Sequence, residues 1–528
     1  MPRADEYKPL LLTTTVRNPE RYKTLLSVLL AYNGEILTNE IIDKVIFNMV
    51  SKKLYVPVFV SRTPRLKEQL IDEGTPFSVS DTQEIIENSP QNHKEAGFDK
   101  GWPSRFDTFF KMAMELGFLY YAMNEPIEFS DAGIKLVKSI ENEFVHLENQ
   151  VFLNAFVKYQ RVNPFRRVKN ENKPLILLLQ TIKELSRIYG ETSAGIARQE
   201  IPLILCWPDD DYTALLKQIS EIREEYNFAP SGDYIYEICK KLLGVKGPNA
   251  EIRFKKINIL REMPDEFIRK MRLTGLISIR GNGRFIDNNT LEAEKIEYVL
   301  SCYATSIQQF STARECYDYM KVLDMSLISR EAVVIASETE KERLFTKWVN
   351  TFELDTIKNE LIIVCTPHKS SQNEILKFIN EPARLEFLAA LALKKTYPEL
   401  SVVPNYVIDD EGLPISFAPG GGADIVCHDN IGNILFEVTL LTGVQQNIRE
   451  MPAIERHLKE IAAPNSFSVM LCPRAHTDTL SYSAWLRDCK NITVSVVEIP
   501  HFAETLGIKT SARETYFAAT TPGKKRTI

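Results

Sequence analysis

Between Gly420 and Gly443 the chain reads GGGADIVCHDNIGNILFEVTLLTG, and no other stretch constrains the fold as much. Asp424 opens a short apolar run, Ile425-Val426-Cys427. His428, Asp429, Asn430, Ile431 and Gly432 make a turn, and Asn433 leads into a second run, ILFEVTLL. Two apolar runs divided by such a turn predict a β-hairpin with buried strands. Glu437 falls inside the second strand, among Phe436, Val438 and Leu440. A carboxylate in that company is expensive to bury unless a cation or a polar partner stands beside it. A hairpin that brings Asp424 and Glu437 together makes a site for a hard cation bound through oxygen, suited to Mg²⁺. The Val438 carbonyl, pointing opposite to its side chain, is a candidate third oxygen.

The length, 528 residues, predicts two to four domains. Hydrophobic residues at 44% and charged residues at 25% are ordinary for a soluble globular protein. No apolar run is long enough for a membrane span, and the start, MPRADEYKPLLL, lacks the hydrophobic core of a signal peptide. The net charge of −6 argues against indiscriminate coating of nucleic acid, yet a basic cleft can coexist with acidic outer faces. The eight cysteines form no CxxC pair, which argues against zinc. Cys206, Cys365 and Cys472 sit in apolar runs and read as small core residues of a protein in a reducing cytoplasm.

Upstream of the hairpin the chain reads mostly as helix. Arg21–Tyr32 is amphipathic, Thr38 is placed to cap a second helix, and Ser104–Leu116 predicts a third that stops at Gly117. FLYYA, the turn MNEP, IEFS and the helix DAGIKLVKSI follow. Three helices and then strand, turn, strand is the order of a winged helix. A second helical part holds KPLILLLQTIKELSRIYG, a helix in ETSAGIARQEIPLILCW started by Thr192 or Ser193, and a helix through Phe267–Leu273. It ends in two strands joined by Arg280-Gly281-Asn282-Gly283-Arg284, a basic hairpin tip. Residues 301–375 read as a helical connector. From 376 onward come an amphipathic helix (EPARLEFLAALALKKTYP), the acidic hairpin, the helix QQNIREMPAIERHLKEI, and the buried strands SFSVMLCP and ITVSVVEIP. The basic end TTPGKKRTI reads as a tail. The expected architecture is multidomain. A mainly α, winged-helix-like N-terminal region in two parts (1–145 and 146–300) is followed by a linker (301–375) and a C-terminal α/β domain (376–528).

Four acids line up in that last part: Glu386 on its first helix, then Asp424, Glu437 and Glu450, the last three equally spaced. Asp424 and Glu437 would ligate a metal that polarises a phosphodiester and lowers the pKa of a bound water. Glu386 would hold a second cation or orient its water shell. The pattern is that of the metal-dependent nuclease motif PD-(D/E)xK, with Thr439 where the motif has lysine. A threonine is neither a cation nor a base at neutral pH. Glu450, Gln446, His457 or a second metal are the candidates for the missing role. His457 reads either as a site residue or as a surface partner of Glu455 or Glu460. Cys427 and His428 are adjacent strand residues facing opposite ways, which argues against zinc there. Arg161, Arg166, Arg167 and Lys169, in a segment that also holds Phe165 and Lys173, read either as phosphate contacts or as a solvated charge run. Arg280 and Arg284 resemble a wing that enters a groove. Trp102 and Arg105, in GWPSRF, open a helix and are placed to dock on DNA, with a core role the alternative for Trp102.

The words RLEFLAAL, GLPISFAPGGGADI, FEVTLLTG followed by QQNIRE, and ERHLKEI resemble the AlwI family of type IIS restriction endonucleases, a group that includes nicking enzymes. Upstream, ELGFL…IEFSDAGIKLV resembles the family's first winged helix. The resemblance implies an N-terminal DNA-recognition region, a linker and a C-terminal Mg²⁺-dependent cleavage domain. It implies a short asymmetric site of the GGATC or GAGTC kind on double-stranded DNA, cut a few base pairs outside. The family's catalytic acids fall on Glu386, Asp424, Glu437 and Glu450, and His457 lies in its Arg-His pair. The family shares the threonine form of the motif. One acidic cluster per chain means one strand cut at a time. Second-strand cutting would then need a transient homodimer through the C-terminal domain or a separate small subunit. A cognate DNA methyltransferase in the same bacterial cytoplasm is also implied. The alternatives are a strand-specific nicking endonuclease and a non-catalytic winged-helix DNA-binding regulator.

Overall fold

The computed structural model describes residues 16, 19 and 21–517, apart from 72–73, 141–145, 167, 169, 191–192, 305–306, 331–332, 336, 368, 462 and 509–510. The capping candidate Thr192, the phosphate-contact candidates Arg167 and Lys169, and the basic tail lie outside the described residues. The chain is α-rich and multidomain, with a mixed sheet. It divides into two compact units. One comprises Met1–Ile46, Pro90–Val334 and Asp409–Glu411, and the other Phe47–Ser89, Ile335–Ile408 and Gly412–Ile528. No described helix is long and apolar enough to cross a membrane, and all eight cysteines are free thiols.

In the first unit the helix Arg21–Leu30 buries Tyr22, Leu25, Leu26, Val28 and Leu29. Helix Trp102–Glu115 stops as expected beside Gly117, whose φ of +74° suits the left-handed turn. The strands Leu119–Tyr120 and Glu128–Phe129 pair antiparallel, Ile36 bridges to Pro126, and the helix Asp131–Lys138 follows. Further along the chain, Ile196–Ala197 pairs with Phe285–Asn288, which pairs with Ile277–Arg280. The helix expected to start at residue 192 or 193 begins later, at Ile201, after the single turn Arg198–Glu200. Ile196 and Ala197 are claimed by the sheet edge instead, and the Glu200 carboxylate accepts the Ala197 N–H at 2.7 Å. A propensity window cannot see a ladder partner some ninety residues away, roughly the separation that registers Ile196 against Ile286.

The second unit is built on a five-stranded sheet: β1 (Ser401–Pro404), β2 (Ile425–His428), β3 (Asn433–Val438), β4 (Phe467–Cys472) and β5 (Val494–Glu498). The spatial order is β5-β4-β3-β2-β1. β1, β2 and β3 run antiparallel to their neighbours, while β3, β4 and β5 are mutually parallel. Parallel neighbours need crossovers. Helices α2 (Met451–Ile461) and α3 (Thr477–Lys490) supply them, packing Met451, Ile454 and Leu486 against Met470, Cys472, Val494 and Val496. Helix α1 (Glu381–Thr396) is capped by Asn380, whose side chain accepts the Ala383 N–H at 3.1 Å. The sequence predicts α1 as amphipathic. Instead, residues 383–393 are buried without interruption, Arg384 and Glu386 included. A helix covered on all sides carries no stripe, so Glu386 is an interior residue by position.

Candidate active site on the acidic hairpin

The register of the hairpin places the two acids. Ile425 of β2 lies opposite Phe436 of β3. One step further, Asp424 comes opposite Glu437, and opposed residues of an antiparallel pair project from the same face. Asp424 is half-buried, and its Oδ2 accepts the Val438 N–H at 2.7 Å, which anchors the carboxylate at the end of the ladder. Glu437 is 7% exposed. Its Oε1 lies 2.8 Å from Nδ1 of His457 on α2. Glu386, 3% exposed, accepts the Ala418 N–H at 2.9 Å. Glu450 closes the π-type turn Gln446–Glu450 that runs into α2, and accepts the Thr439 hydroxyl at 3.1 Å.

These carboxyls act on one another. Burial pushes Glu386 well above the usual carboxylate range, and the neighbouring charges of Asp424 and Glu437 push further. Asp424 is raised by burial and then by Glu437, with the Val438 N–H acting in the other direction. Glu437 is raised by burial and then by Glu450, against the pull of Arg456. Burial also raises Glu450, while Thr439, Arg449 and His457 lower it. A cluster of carboxylates that cannot all ionise alone takes up protons or a cation. His457 is lowered, first by burial and then by Arg456, so its imidazole is neutral near pH 7. Where Glu437 is ionised, as beside a bound cation, it only accepts, and Nδ1 then carries the proton toward it. Nε2 keeps its lone pair, buried and without a hydrogen-bond partner.

Thr439, placed by the sequence reading where the expected motif has lysine, engages its neighbours by hydrogen bonding. Its hydroxyl donates to Glu450 and accepts the Leu441 N–H at 3.0 Å. Gln446 leaves the list of candidates for the missing role. Its Nε2 donates to the carbonyls of Leu441 and Arg474, and its Oε1 accepts the His476 N–H, so it is spent on the loop. The cations that do act on the cluster are Arg449 and Arg456, both exposed and two helical turns apart. Sequence reasoning passed over both, although they stand inside QQNIRE and ERHLKEI and their seven-residue spacing puts them on one helix face.

The donors fit a hard divalent ion. Asp424 and Glu437 offer carboxylate oxygens side by side, with Glu386 behind them. Among the described residues no three His, Cys, Asp or Glu side chains close into a complete cage. An ion such as Mg²⁺, which keeps several waters, is held through one or two carboxylates and does not need one. Cys427 is buried, and exposed His428 lies with Nδ1 2.6 Å from Asn433 Oδ1.

The structure brings Glu386, Asp424, Glu437, Glu450 and His457 together. It disperses the expected DNA contacts and corrects three of them. Arg161 is 1% exposed, with its Nε 3.4 Å from Asn170 Oδ1, and cannot meet a phosphate from inside the core. Arg166 turns inward onto buried Glu115, at 2.9 Å. Arg280 is matched by three carboxylates, Asp287 at 2.9 Å, Asp410 at 2.7 Å and Glu411, and has no charge left over for DNA. Arg284 is exposed at the hairpin tip. Trp102 and Arg105 are half-buried, the Arg105 guanidinium lying 4.8 Å from the Phe109 ring centre.

A family model described as AlwI restriction endonuclease matches residues 114–360 and 318–487. Among solved structures, the small subunit (R.BspD6I2) of the heterodimeric restriction endonuclease R.BspD6I is 23% identical, covering 28% of this chain and 76% of that one, with a TM-score of 0.23. The restriction endonuclease FokI is 12% identical over 97% of this chain and 98% of its own, with a TM-score of 0.24. No curated protein matches.

Proposed function

Because the chain belongs to the AlwI restriction endonuclease family, and so is a site-specific deoxyribonuclease acting on double-stranded DNA, we propose that it is a type IIS enzyme using Mg²⁺. In this reading it binds a short asymmetric site of the GGATC or GAGTC kind and hydrolyses a phosphodiester a few base pairs outside it. Residues 1–145 and 146–300 are winged-helix-like recognition parts, 301–375 a helical linker, and 376–528 a PD-(D/E)xK cleavage domain. The strand orders 36/126–129/119–120 and 196–197/285–288/277–280, each behind helices, support the first two assignments.

The observation that carries the reading is the placement of Asp424 beside Glu437, whose charge raises the affinity of Asp424 for a proton or a cation. Asp424, Glu437 and the Val438 carbonyl would hold the ion, and Glu386 would orient its bound water. When bound, the ion polarises the phosphodiester and lowers the pKa of a water. His457 positions Glu437 through Nδ1–H and keeps Nε2 free to accept a proton. Thr439 fixes Glu450, and Arg449 and Arg456 supply the positive charge that the motif lysine would bring. A homodimer through the cleavage domain, or a separate small subunit, cuts the second strand. A cognate methyltransferase protects the host.

The test is substitution. Asp424→Ala or Glu437→Ala should lower plasmid cleavage at least about 1,000-fold, the scale of losing a central electrostatic group. Duplex binding should be unchanged. Cleavage that survives either substitution removes the assignment. Run-off sequencing of a digested plasmid reads site and cut position together, and a cut inside the site contradicts the type IIS reading.

A further inference from the structure

Residues 240–261 hold seven Lys or Arg and one acid, Glu251, in a chain of net charge −6. They fall on three successive elements of the first unit. Helix Gly232–Leu242 leads through a loop with Gly244 and Gly247 to the short helix Pro248–Arg253, then to the π-type turn Asn258–Glu262. The pieces are locked together. The Tyr236 hydroxyl donates to the Phe254 carbonyl at 2.5 Å, the two rings stack with centres 5.4 Å apart, and Ile235, Cys239, Phe254 and Ile259 are buried beneath. Lys240 is matched by Glu237 and Glu251, at 3.3 and 3.2 Å, and Lys256 by Asp233. Lys241, Lys246, Lys255 and Arg261 are exposed and form no ion pair among the described residues.

Exposed cations that form no ion pair among the described residues attract a polyanion. The loop between Lys241 and Lys246 is open as well. Gly244 (φ +59°) and Gly247 (φ +85°) have no atom within 4 Å of where a side chain would begin, so a sugar-phosphate strand can come close to the backbone. The eleven-residue helix is about 16 Å long, room for several phosphates at roughly 3.4 Å per strand step. The helices in front of the two small hairpins offer little in comparison. Trp102–Glu115 and Met263–Arg272 are buried over most of their surface. Arg269 and Lys270 are held by Glu266, and Arg272 by Asp409.

We propose that Lys241, Lys246, Lys255 and Arg261 form a surface that tracks the phosphates of double-stranded DNA and sets the register of the protein on the duplex without reading bases. The proposal rests on the DNA-binding reading and names the face that does the binding. The test compares the full chain carrying Lys241→Gln, Lys246→Gln, Lys255→Gln and Arg261→Gln with a control carrying Lys52→Gln, Lys67→Gln, Lys100→Gln and Lys217→Gln. The control removes the same charge from exposed lysines elsewhere. Affinity for a mixed-sequence duplex is followed over a salt series. Each lost phosphate contact flattens the plot of log affinity against log salt by about 0.9. The first variant should therefore lose roughly 3.6 units of slope and the control almost none. With excess enzyme at low salt the first variant should still cut plasmid, because the acids are untouched. An unchanged slope, or an equal loss in the control, overturns the surface while leaving the enzyme assignment standing. A failure of the unsubstituted protein to bind duplex at all overturns both.

Discussion

Single residues of the acidic hairpin are held in a state that costs stability. Asp424 takes up protons more readily in the folded chain than in the unfolded one, first because it is buried and then because Glu437 faces it. The folded state therefore binds the extra proton, and the metal-free protein should lose stability as pH rises from the ordinary carboxylate range toward neutrality and above. A divalent ion should reverse that loss. Asp424→Asn keeps an acceptor for the Val438 N–H and removes the charge. In EDTA at about pH 8 it should melt later than the unsubstituted protein, by on the order of 1 kcal/mol, with the advantage fading near pH 5 and cleavage abolished. Equal melting at both pH values would show that the acids do not strain one another. The arginines of the Arg280 hairpin divide in the same way. Arg280→Ala strands Asp287, Asp410 and Glu411 and should cost about 2 kcal/mol in urea denaturation, the usual buried-pair figure discounted for partial exposure. Arg284→Ala touches no carboxylate and should leave stability within about 0.5 kcal/mol. If the two variants unfold alike, the triple ion pair is not a structural anchor.

Elements position the site through close backbone contact as well as register. Gly74 lies in the Phe47–Ser89 stretch of the second unit, against the loop that follows β3. A Cβ on Gly74 would sit 2.6 Å from the Thr442 carbonyl oxygen and 2.8 Å from the Gly443 Cα. Real side chains do not approach backbone that closely, so any substitution shifts the loop. The same loop carries the Leu441 N–H that Thr439 accepts, and Thr439 in turn orients Glu450. Gly74→Val is expected to slow cleavage of bound DNA about tenfold, the effect of a small misplacement in a preorganised site. Duplex affinity should be unchanged, as read by single-turnover cutting beside equilibrium binding. Cutting at the normal rate would uncouple the loop from the acids. At this scale the hairpin, α2 and the two buried parallel strands were legible, because period and turn chemistry are local. The Ile196–Ala197 edge strand and the full burial of α1 were not, since both depend on partners remote in the chain.

At the scale of the whole molecule, the described residues gather Glu386, Asp424, Glu437 and Glu450 in one cluster. If that cluster cuts one strand per encounter, plasmid should appear first as nicked circles. Linear product should then rise more steeply than in proportion to protein concentration. Linear product from a demonstrated monomer, at a yield independent of concentration, would contradict one-strand chemistry. The compact units themselves cross the sequence order. Residues 47–89 lie with the sheet that carries the acids, and residues 409–411 with Arg272 and Arg280. No local pattern signals either excursion, because a unit is defined by which surfaces bury each other and not by which residues are consecutive.

The sequence by itself determined that Asp424 and Glu437 would meet. A turn between two apolar runs sets the register, and strand periodicity then sets the face. It also marked Glu386, Glu450 and His457 as members of the group. Tertiary structure alone decided which charges face inward. Arg161, Arg166 and Arg280 looked like DNA contacts and are spent on internal partners, whereas Lys241, Lys246, Lys255 and Arg261 are exposed and form no ion pair among the described residues. Whether a cation meets water or a carboxylate depends on what packs over it. That neighbour can lie more than a hundred residues away, as Asp410 does from Arg280, so the choice is made by folding and not by local sequence.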